Sequence, residues 1–470
     1  MNSTRRRPAR IVLAALVALC MTACSGGSTA PAGLGVPRTD GASAQGHRST
    51  GGSSNLITNV VIVVQENRSF DNLFATFPGA DGATQGQMST GQTVALVESN
   101  LATKCDLGHS RQGYVRDYDH GKMDGFNLEG GTGTCGGKAG SLPYQYVYPN
   151  QIAPYWDMAS QYVLADHMFQ TQGSGSFTSH QDLIAGATIF NQIKTESLVD
   201  FPSKAPWGCD APPGTTTSFL RPAGAKLEYK YRKGPFPCMT YETLRDLLDA
   251  QSVSWRYYSP IVSEGAGGAN WNAFDAIQAV REGPEWTTNI SSPETNIFND
   301  ISSGTLASVS WVVPDKQNSD HPGGTLDTGP SWVASIVNAI GQSSYWPSTA
   351  VIIVWDDWGG FYDHEPPPFI DDLGGLGFRV PMMVISPYAR VGGSDGGYIS
   401  HTSYEFGSIL RFVESIWSLG NLGTTDLRAA SIVDCFDFTQ QPRAFTVIPS
   451  QYSKAYFLRQ RPSGQPVDDE

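Results

Sequence analysis

Basic residues are scarce in this chain relative to acidic ones. Lys and Arg number 31 against 44 Asp and Glu, which gives a formal net charge of −13 at pH 7. A surface of this sign repels nucleic acid and anionic lipid headgroups at long range, so we expect no nucleic-acid partner. Any anionic substrate would have to be met by a local cation, which points to a bound metal ion.

The apolar run at the N-terminus is too short to cross a bilayer. It covers residues 11–21, whereas a membrane-spanning helix needs about 20 residues. Four Arg and no acidic residue precede it, and small residues followed by Cys24 come after it. This pattern predicts a lipoprotein-type signal peptide over residues 1–23, cleaved before a lipid-bearing Cys24. The alternative is ordinary signal cleavage nearby with Cys24 incidental, and both predict export.

Large apolar residues are almost absent from residues 24–55. Gly, Ser, Ala, Thr and Pro dominate there, so this segment cannot bury a core and we expect a flexible tether. Residues 56–470 contain no second linker and no internal repeat, which favours a single catalytic domain. We therefore expect a cell-envelope lipoprotein, on the outer face of a membrane or in the periplasm, or a secreted protein. Contact with a membrane is expected only through the anchor.

Cysteine is also infrequent, with seven in the chain. Apart from Cys20 and Cys24 near the N-terminus, two pairs each enclose a Gly- and Pro-rich loop of the kind that a disulfide fixes in an oxidising compartment. We predict that Cys105 bonds to Cys135 and Cys209 to Cys238, and that Cys435 is a buried free thiol. No cysteine spacing resembles a zinc site.

Apolar patterning alternates between strand and helix periods. Strands are predicted at 59–64, 252–258, 307–313, 350–355 and 382–386. Helices are predicted at 241–250, 273–281, 332–340 and 405–419. This alternation predicts an α/β fold with a mostly parallel central sheet covered by helices on both faces.

Two carboxylates follow the most apolar of these runs. Residues 350–355 are rich in Val and Ile without polar alternation, which is typical of a strand buried on both faces. Asp356 and Asp357 would emerge at its carboxyl end, where ligands bind in open α/β sheets. Asp363 and His364 return shortly afterwards. This set of side chains suits a divalent cation, although Asp and Gly are also ordinary turn formers.

A second pair of oxygen-bearing side chains follows the first predicted strand. Glu66 and Asn67 come directly after that apolar run. Neighbouring parallel strands would bring them to Asp356 and Asp357, forming one cation site. The alternative is a helix N-terminus that Asn67 or Ser69 caps.

Several motifs in order resemble the phosphoesterase family of bacterial phospholipases C and related acid phosphatases. They are ENRSFD at 66–71, GKMDGF at 121–126, WRYY at 255–258, WDDWGGFYDH at 355–364, RVP at 379–381, ISPY at 385–388 and SILRF at 408–412. The resemblance runs from about residue 59 to residue 417. It implies an alkaline phosphatase-like fold and a metal-dependent phosphoric ester hydrolase that acts through a phosphoserine.

The resemblance also implies a nucleophile in a Gly-rich loop before a helix that reads LIAG, here at 183–186. Counting back from that helix places Ser176 in the nucleophile's position. This chain lacks the prolines and the asparagine that the family usually has around the nucleophile, so Ser174 and Thr178 remain alternatives. A hydroxyl and free N–H groups at a helix N-terminus would suit a phosphate group.

Among the eight histidines, three match family positions that contact phosphoryl oxygens or metal: His109, His321 and His364. We expect structural roles for His120, His167, His180 and His401, with His180 as a reserve candidate because it lies close to Ser176 in the sequence. The resemblance implies that Glu66, Asn67, Asp356, Asp357 and Ser176 hold the cation. The ligand types admit Mg²⁺, Mn²⁺, Ca²⁺ or Zn²⁺.

The substrate could be a phosphate monoester or a phospholipid headgroup. A strongly negative chain without a basic amphipathic helix leans slightly towards a soluble ester. A lipid-anchored extracytoplasmic ligand-binding protein without hydrolytic activity is the alternative function, although such a protein would not need oxygen ligands at two strand ends.

Overall fold

The computed structural model describes residues 56–464, except 134, 136, 225, 263–269, 369–374 and 395. The predicted signal peptide, Cys24 and the tether lie outside the described residues. None of the helices in the described part of the chain is long and apolar enough to cross a membrane.

The strands comprise one large sheet and several short pairings. In chain order they are β1 (Asn59–Gln65), β2 (Gln85–Gln87), β3 (Thr93–Ala95), β4 (Val97–Ser99), β5 (Cys105–Leu107), β6 (Gly130–Gly133), β7 (Gly137–Lys138), β8 (Gln145–Val147), β9 (Val163–Ala165), β10 (Ser197–Val199), β11 (Ser218–Ala223), β12 (Lys226–Lys230), β13 (Trp255–Tyr258), β14 (Ile290–Ser291), β15 (Val309–Val312), β16 (Thr349–Trp355), β17 (Met382–Ile385) and β18 (Tyr398–Ser400).

The α-helices alternate with these strands. They are α1 (Phe70–Phe74), α2 (Arg111–Tyr118), α3 (Ala153–Gln161), α4 (Ser176–Ala185), α5 (Leu244–Ala250), α6 (Gln278–Arg281), α7 (Glu285–Thr288), α8 (Asn296–Ser303), α9 (Gly329–Gly341), α10 (Phe406–Trp417) and α11 (Lys454–Phe457).

The central sheet has eight strands in the order β14-β13-β15-β1-β16-β17-β9-β18. Strand β17 runs antiparallel to both of its neighbours, and the remaining pairings are parallel. The carboxyl ends of β1, β15, β16, β9 and β18 therefore share one edge of the sheet, together with the amino end of β17. This edge carries the residues discussed below.

Burial explains the apolar runs that the sequence showed. Every residue of β1 and of β16 is buried. Because alternate residues of a strand point to opposite faces, both faces of the sheet must be covered. Helix α9 packs against β16, α3, α8 and α11, while α4 packs with α5 and α10. The prediction of an α/β fold with a mostly parallel, helix-covered sheet is confirmed.

Most sequence-predicted elements are present with shifted ends. The strand predicted at 252–258 begins only at Trp255, and the helix predicted at 273–281 is two short pieces, a 3₁₀ turn at Ala273–Ala276 followed by α6. The helix that contains LIAG begins earlier than expected, at Ser176, so that Leu183 lies in its last turn. The strands β9, β14 and β18 of the central sheet were not predicted.

Both predicted disulfides are present. The Cα atoms of Cys105 and Cys135 are 5.4 Å apart, and those of Cys209 and Cys238 are 4.4 Å apart. Cys435 is free and buried, as expected. The first disulfide lies at the paired strands β5 and β6, directly before the loop that carries His109.

Candidate active site

The ends of β1 and β16 place two pairs of oxygen-bearing side chains side by side. These strands pair in parallel up to Gln65 opposite Trp355, so the residues that follow each strand emerge together at the edge. The backbone N–H of Asn67 donates to Oδ1 of Asp356 at 3.0 Å. The structure thus brings Glu66 and Asn67 to Asp356 and Asp357, and all four are fully buried.

A turn at Gly359 fixes the position of the carboxylates that follow β16. Gly359 has a φ of +60°, and a Cβ atom at this position would lie 2.2 Å from the carbonyl oxygen of Asn67. A side chain therefore cannot be accommodated without moving the backbone. The N–H of Gly359 donates to Oδ1 of Asp357 at 2.8 Å, which holds that carboxylate in place.

Ser176 is the first residue of α4 and is fully buried beside the carboxylates. Its hydroxyl donates to Oδ2 of Asp357 and accepts from the amide nitrogen of Asn67, both at 3.2 Å. The first N–H groups of a helix have no intrahelical acceptor, and its dipole favours negative charge there. The position therefore combines a hydroxyl with an anion-attracting helix end.

The neighbouring hydroxyls have other partners. The Thr178 hydroxyl donates to Ser174 Oγ at 2.9 Å, and Ser174 Oγ accepts from the N–H of Asp200 at 2.7 Å. Of the three nucleophile candidates that the sequence left open, Ser176 is the one whose recorded contacts are with Asn67 and Asp357. The contacts favour Ser176.

The side chain of Asn67 lies at the point where these groups converge. Its amide nitrogen is 3.0 Å from both oxygens of Asp357, 3.2 Å from Ser176 Oγ and 3.1 Å from Nε2 of His109. An amide carries two hydrogens, so it cannot donate to four acceptors at once. More hydrogen-bond acceptors therefore meet here than there are hydrogens to satisfy them, and a cation could interact with the acceptors that remain.

The hydrogen-bonding partner of His109 fixes its tautomer. Its Nδ1 lies 2.7 Å from the carbonyl oxygen of Leu107, which can only accept. Nδ1 therefore carries the hydrogen, and in the neutral ring Nε2, which lies 3.1 Å from the amide nitrogen of Asn67, keeps the lone pair. The loop that follows β5 thus presents a fixed nitrogen lone pair to the site.

His321 lies on the loop after β15 and is buried. Its Nδ1 hydrogen-bonds to the carbonyl oxygen of Pro322, which again assigns the hydrogen to Nδ1. The rings of His321 and His109 are 6.3 Å apart between centroids. On the same loop, the carbonyl oxygen of Ser319 accepts a hydrogen bond of 2.9 Å from the N–H of Glu66. This bond holds the loop that carries His321 against the end of β1.

His180, for which we expected a structural role, contacts the carboxylates of the site. Its Nε2 is 2.8 Å from Oε1 of Glu66 and 3.8 Å from Oδ2 of Asp356. It lies four residues after Ser176 on α4, and residues at this spacing share one face of a helix. Burial lowers the pKa of His180 to about 4, so the ring is neutral at physiological pH.

The donor set fits a divalent cation. Burial and the charge of Glu66 raise the pKa of Asp356 to about 8, which shows how unfavourable a further negative charge is in this pocket without a compensating ion. Asn67 Oδ1 and Asp356 Oδ2 are buried without a hydrogen-bond partner among the residues that the structure describes. A cation would satisfy both oxygens and the local charge.

His364 does not join the other predicted histidines. Its Nδ1 lies 2.8 Å from Oδ2 of Asp71, its Nε2 lies 3.4 Å from Oδ1 of Asp81, and Arg379 approaches the ring at 3.1 Å. These recorded contacts share no residue with those of Ser176. Gly359 and Gly360 have φ values of +60° and +72°, and the chain beyond this turn brings His364 to Asp71 and Asp81.

Known proteins resemble this chain at low identity. Phospholipase C B of Mycobacterium tuberculosis is 26% identical over 440 residues, covering 82% of this chain and 78% of that protein. Non-hemolytic phospholipase C of Burkholderia pseudomallei is 23% identical over 422 residues, and the match covers 76% of this chain but only 55% of that protein. Non-specific phospholipase C4 of Arabidopsis thaliana is 25% identical, covering 78% of this chain and 69% of that protein.

Solved structures resemble it more distantly. A protein in the alkaline phosphatase superfamily from Vibrio parahaemolyticus matches with a TM-score of 0.36 and 12% identity, covering 81% of this chain and 72% of that one. The lipoteichoic acid synthase LtaP from Listeria monocytogenes matches with a TM-score of 0.35 and 9% identity, covering 79% and 76%. The fold therefore rests on the sheet order and burial described above.

A model of the Phosphoesterase family matches residues 57–420. This range contains β1, α4 and β16 with the side chains that follow or begin them. It spans most of the chain and the whole of the candidate site. The protein belongs to the Phosphoesterase family.

Proposed function

We propose that this protein hydrolyses phosphoric esters with Ser176 as nucleophile, and that Glu66, Asn67, Asp356, Asp357 and Ser176 hold a divalent cation. The observation that carries the proposal is the position of Ser176 Oγ, within 3.2 Å of both the Asn67 amide and the Asp357 carboxylate at the first turn of α4. When bound, the cation would supply positive charge for an alkoxide and a phosphoryl oxygen. The ligand types admit Mg²⁺, Mn²⁺, Ca²⁺ or Zn²⁺.

The protein residues orient the reacting groups. Asp357 holds the hydroxyl hydrogen of Ser176, which directs an oxygen lone pair away from the carboxylate. Attack by Oγ forms the Oγ–P bond and breaks the bond from phosphorus to the leaving alcohol, while the hydroxyl proton passes to its acceptor, Oδ2 of Asp357. Water then attacks phosphorus, the Oγ–P bond breaks, and Asp357 returns the proton to Oγ, which restores the hydroxyl of Ser176. The N-terminus of α4 stabilises the phosphoryl oxygens in both steps.

Two imidazoles are available for proton transfer. The Nε2 atoms of His109 and His321 are the nitrogens that carry the lone pairs, because each Nδ1 is bonded to a backbone carbonyl. Either ring, once protonated at Nε2, could deliver a proton to the leaving alcohol. The expectation that His364 also acts here draws no support from its contacts with Asp71 and Asp81.

The names of the similar proteins and the net charge of this chain suggest the substrate class. The similar curated proteins carry the name phospholipase C, which favours the headgroup ester of a phospholipid. The net charge of −13 disfavours an anionic bilayer surface, so a zwitterionic headgroup suits this chain better. A soluble phosphate monoester, favoured by the same charge, is the second candidate.

Export remains part of the proposal. Two disulfides among the described residues suit an oxidising compartment. The signal peptide, the tether and the lipid anchor at Cys24 remain predictions from the sequence.

Hydrolysis assays with and without chelator test the proposal. The probes are p-nitrophenyl phosphate, phosphatidylcholine vesicles and phosphatidylglycerol vesicles. We expect release of product from phosphatidylcholine or from the monoester, loss of that activity in EDTA and recovery with a divalent cation. No hydrolysis of any probe with any of the four cations would contradict the proposal and favour a ligand-binding protein without hydrolytic activity.

A further inference from the structure

A cavity separate from the Ser176 site lies beside α4. Its volume is about 280 Å³, and Asp182 of α4 lines it together with Thr171 and Thr424. The exposed Lys194 also lines it and marks where it opens to solvent. None of the five residues proposed to hold the cation is among the described residues that line this space. We call it the Asp182 cavity.

Two buried polar atoms of the lining have no hydrogen-bond partner in the described part of the chain. They are Oδ1 of Asp182, on a side chain with no exposed surface, and the hydroxyl oxygen of Thr171, which is 5% exposed. The other oxygen of Asp182 accepts from Nε2 of Gln172 at 3.0 Å, which fixes the orientation of the carboxyl group. Native structures rarely leave buried polar atoms unpaired, so two of them on one cavity indicate that water or a ligand supplies the missing hydrogen bonds.

The lining offers both acceptors and donors. The hydroxyls of Thr424 and Thr425 donate to backbone carbonyls at the end of α4, at 2.8 and 2.5 Å, so their oxygens keep lone pairs that can accept. Burial holds the pKa of Asp182 well above its usual range, which favours the protonated carboxyl as a donor. The ammonium group of Lys194 also donates. A ligand that fills this cavity therefore has to donate and accept at several points.

The charges of the lining favour a neutral ligand. The guanidinium of Arg428 is paired with the carboxylate of Glu405 at 2.8 and 2.9 Å, so it contributes little net charge. An anion would approach Asp182 and Glu405. A cation would approach Arg428 and Lys194, so an ion of either sign meets groups of its own charge.

The size of the cavity and its lining point to one small polar molecule. Ligand pockets usually measure about 300–1,000 Å³, so this one is small. Ala187 and Ile189 are the only purely apolar side chains among the described lining residues, which disfavours a lipid tail. A hydroxyl group both donates and accepts, so a compound with several hydroxyls matches the lining. One such molecule would also release several of the ordered waters that otherwise fill a polar cavity.

We propose that the Asp182 cavity binds one neutral polyol, of the size of glycerol, a cyclitol or a single monosaccharide. The polyol would supply the hydrogen bonds that Oδ1 of Asp182 and the hydroxyl of Thr171 lack among the described residues. This inference does not depend on the proposed hydrolysis.

The experiment measures polyol binding to the full-length chain by saturation-transfer-difference NMR, with glycerol, myo-inositol and glucose as probes. Thr171→Val removes the unpartnered hydroxyl at nearly constant shape, and Ala187→Leu places extra side-chain volume in the cavity. Ser310→Ala is the matched control, because it removes another buried hydroxyl without a partner among the described residues, on β15. Asp357→Asn tests whether the signal comes from the Ser176 site instead. Circular dichroism verifies that each variant is folded.

We expect at least one probe to bind the wild type, Ser310→Ala and Asp357→Asn with equal affinity. The affinity should fall about five- to tenfold in Thr171→Val, which loses one hydrogen bond, and binding should disappear in Ala187→Leu. If no probe binds, the cavity holds water alone and the proposal is overturned. Wild-type affinity in both cavity variants, or a loss of binding only in Asp357→Asn, would overturn it as well, because the polyol would then bind elsewhere. Should Ala187→Leu fail to fold, Thr171→Val alone decides the question.

Discussion

The side-chain amide nitrogen of Asn67 lies 3.0 Å from both carboxylate oxygens of Asp357, across 290 positions of sequence. This contact joins the ends of β1 and β16 and places Ser176 Oγ beside both residues. The candidate site therefore depends on the parallel pairing of two fully buried strands rather than on a single motif.

The first prediction concerns the buried carboxylates. Asp356→Asn and Asp357→Asn each remove one negative charge without changing volume, so the cation should bind more weakly while the fold persists. We expect turnover to fall about a hundred- to a thousandfold, measured as initial rate together with metal content. Asp157→Asn, a partly exposed carboxylate on α3, is the matched control. Unchanged metal content and turnover in both site variants would refute the ligand assignment.

The second prediction concerns the pH dependence of metal binding. Because burial and Glu66 raise the pKa of Asp356 to about 8 in the cation-free protein, this carboxyl is mostly protonated at pH 7. A cation requires the ionised form, so binding should release about one proton at pH 7, and affinity should rise with pH until about pH 8. Calorimetry in buffers of different ionisation enthalpy measures this proton.

The variant Asp356→Asn tests whether the released proton comes from Asp356. The variant has no ionisable group at position 356, so proton release at pH 7 should disappear with it. Equal proton release by the variant and the wild type would show that another group titrates on metal binding.

The third prediction concerns His180 as a positioning residue. Its Nε2 contacts Glu66 Oε1 at 2.8 Å, so His180→Ala should free that carboxylate and weaken metal binding about 10- to 100-fold. Turnover at saturating metal should recover most of the wild-type value, which separates positioning from catalysis. His180→Gln, which can still donate a hydrogen bond, should restore part of the affinity. A loss of turnover that saturating metal does not reverse would contradict this role.

The fourth prediction concerns cysteine chemistry. Burial raises the pKa of Cys435 to about 12, so its thiol should resist iodoacetamide at pH 8 in the folded protein and react after unfolding. Non-reducing peptide mapping should recover Cys105 linked to Cys135 and Cys209 linked to Cys238. Rapid alkylation of Cys435 in the native state would show that the thiol is accessible.

The central strands could be predicted from the sequence because their burial leaves a strong signal. Strands β1 and β16 are uninterrupted apolar runs, and the polar residues that follow them mark the edge where the site lies. Strands β9, β14 and β18 have two or three residues each. Runs this short carry no periodicity, since tertiary pairing rather than local sequence makes them strands.

The positions of the histidines were harder to predict. His180 lies four residues after Ser176, and the helical spacing that unites them was hidden because the helix was expected to begin later. His364 follows Asp356 closely in sequence, but the turn at Gly359 and Gly360 carries it to Asp71 and Asp81. The contacts of His364 could therefore not be inferred from its position in the sequence, and the later helix start that we expected concealed the spacing of His180 from Ser176.

The central claim is that Ser176 Oγ attacks phosphorus, and trapping of the phosphorylated enzyme tests it most directly. The enzyme is mixed with substrate, quenched in acid, digested and mapped by mass spectrometry, beside Ser176→Ala and Ser174→Ala. We predict phosphate on Ser176 in the wild type and in Ser174→Ala, and none in Ser176→Ala, whose turnover should fall by several orders of magnitude. Phosphate on Ser174 or Thr178, or full activity of Ser176→Ala without any phosphopeptide, would contradict the claim.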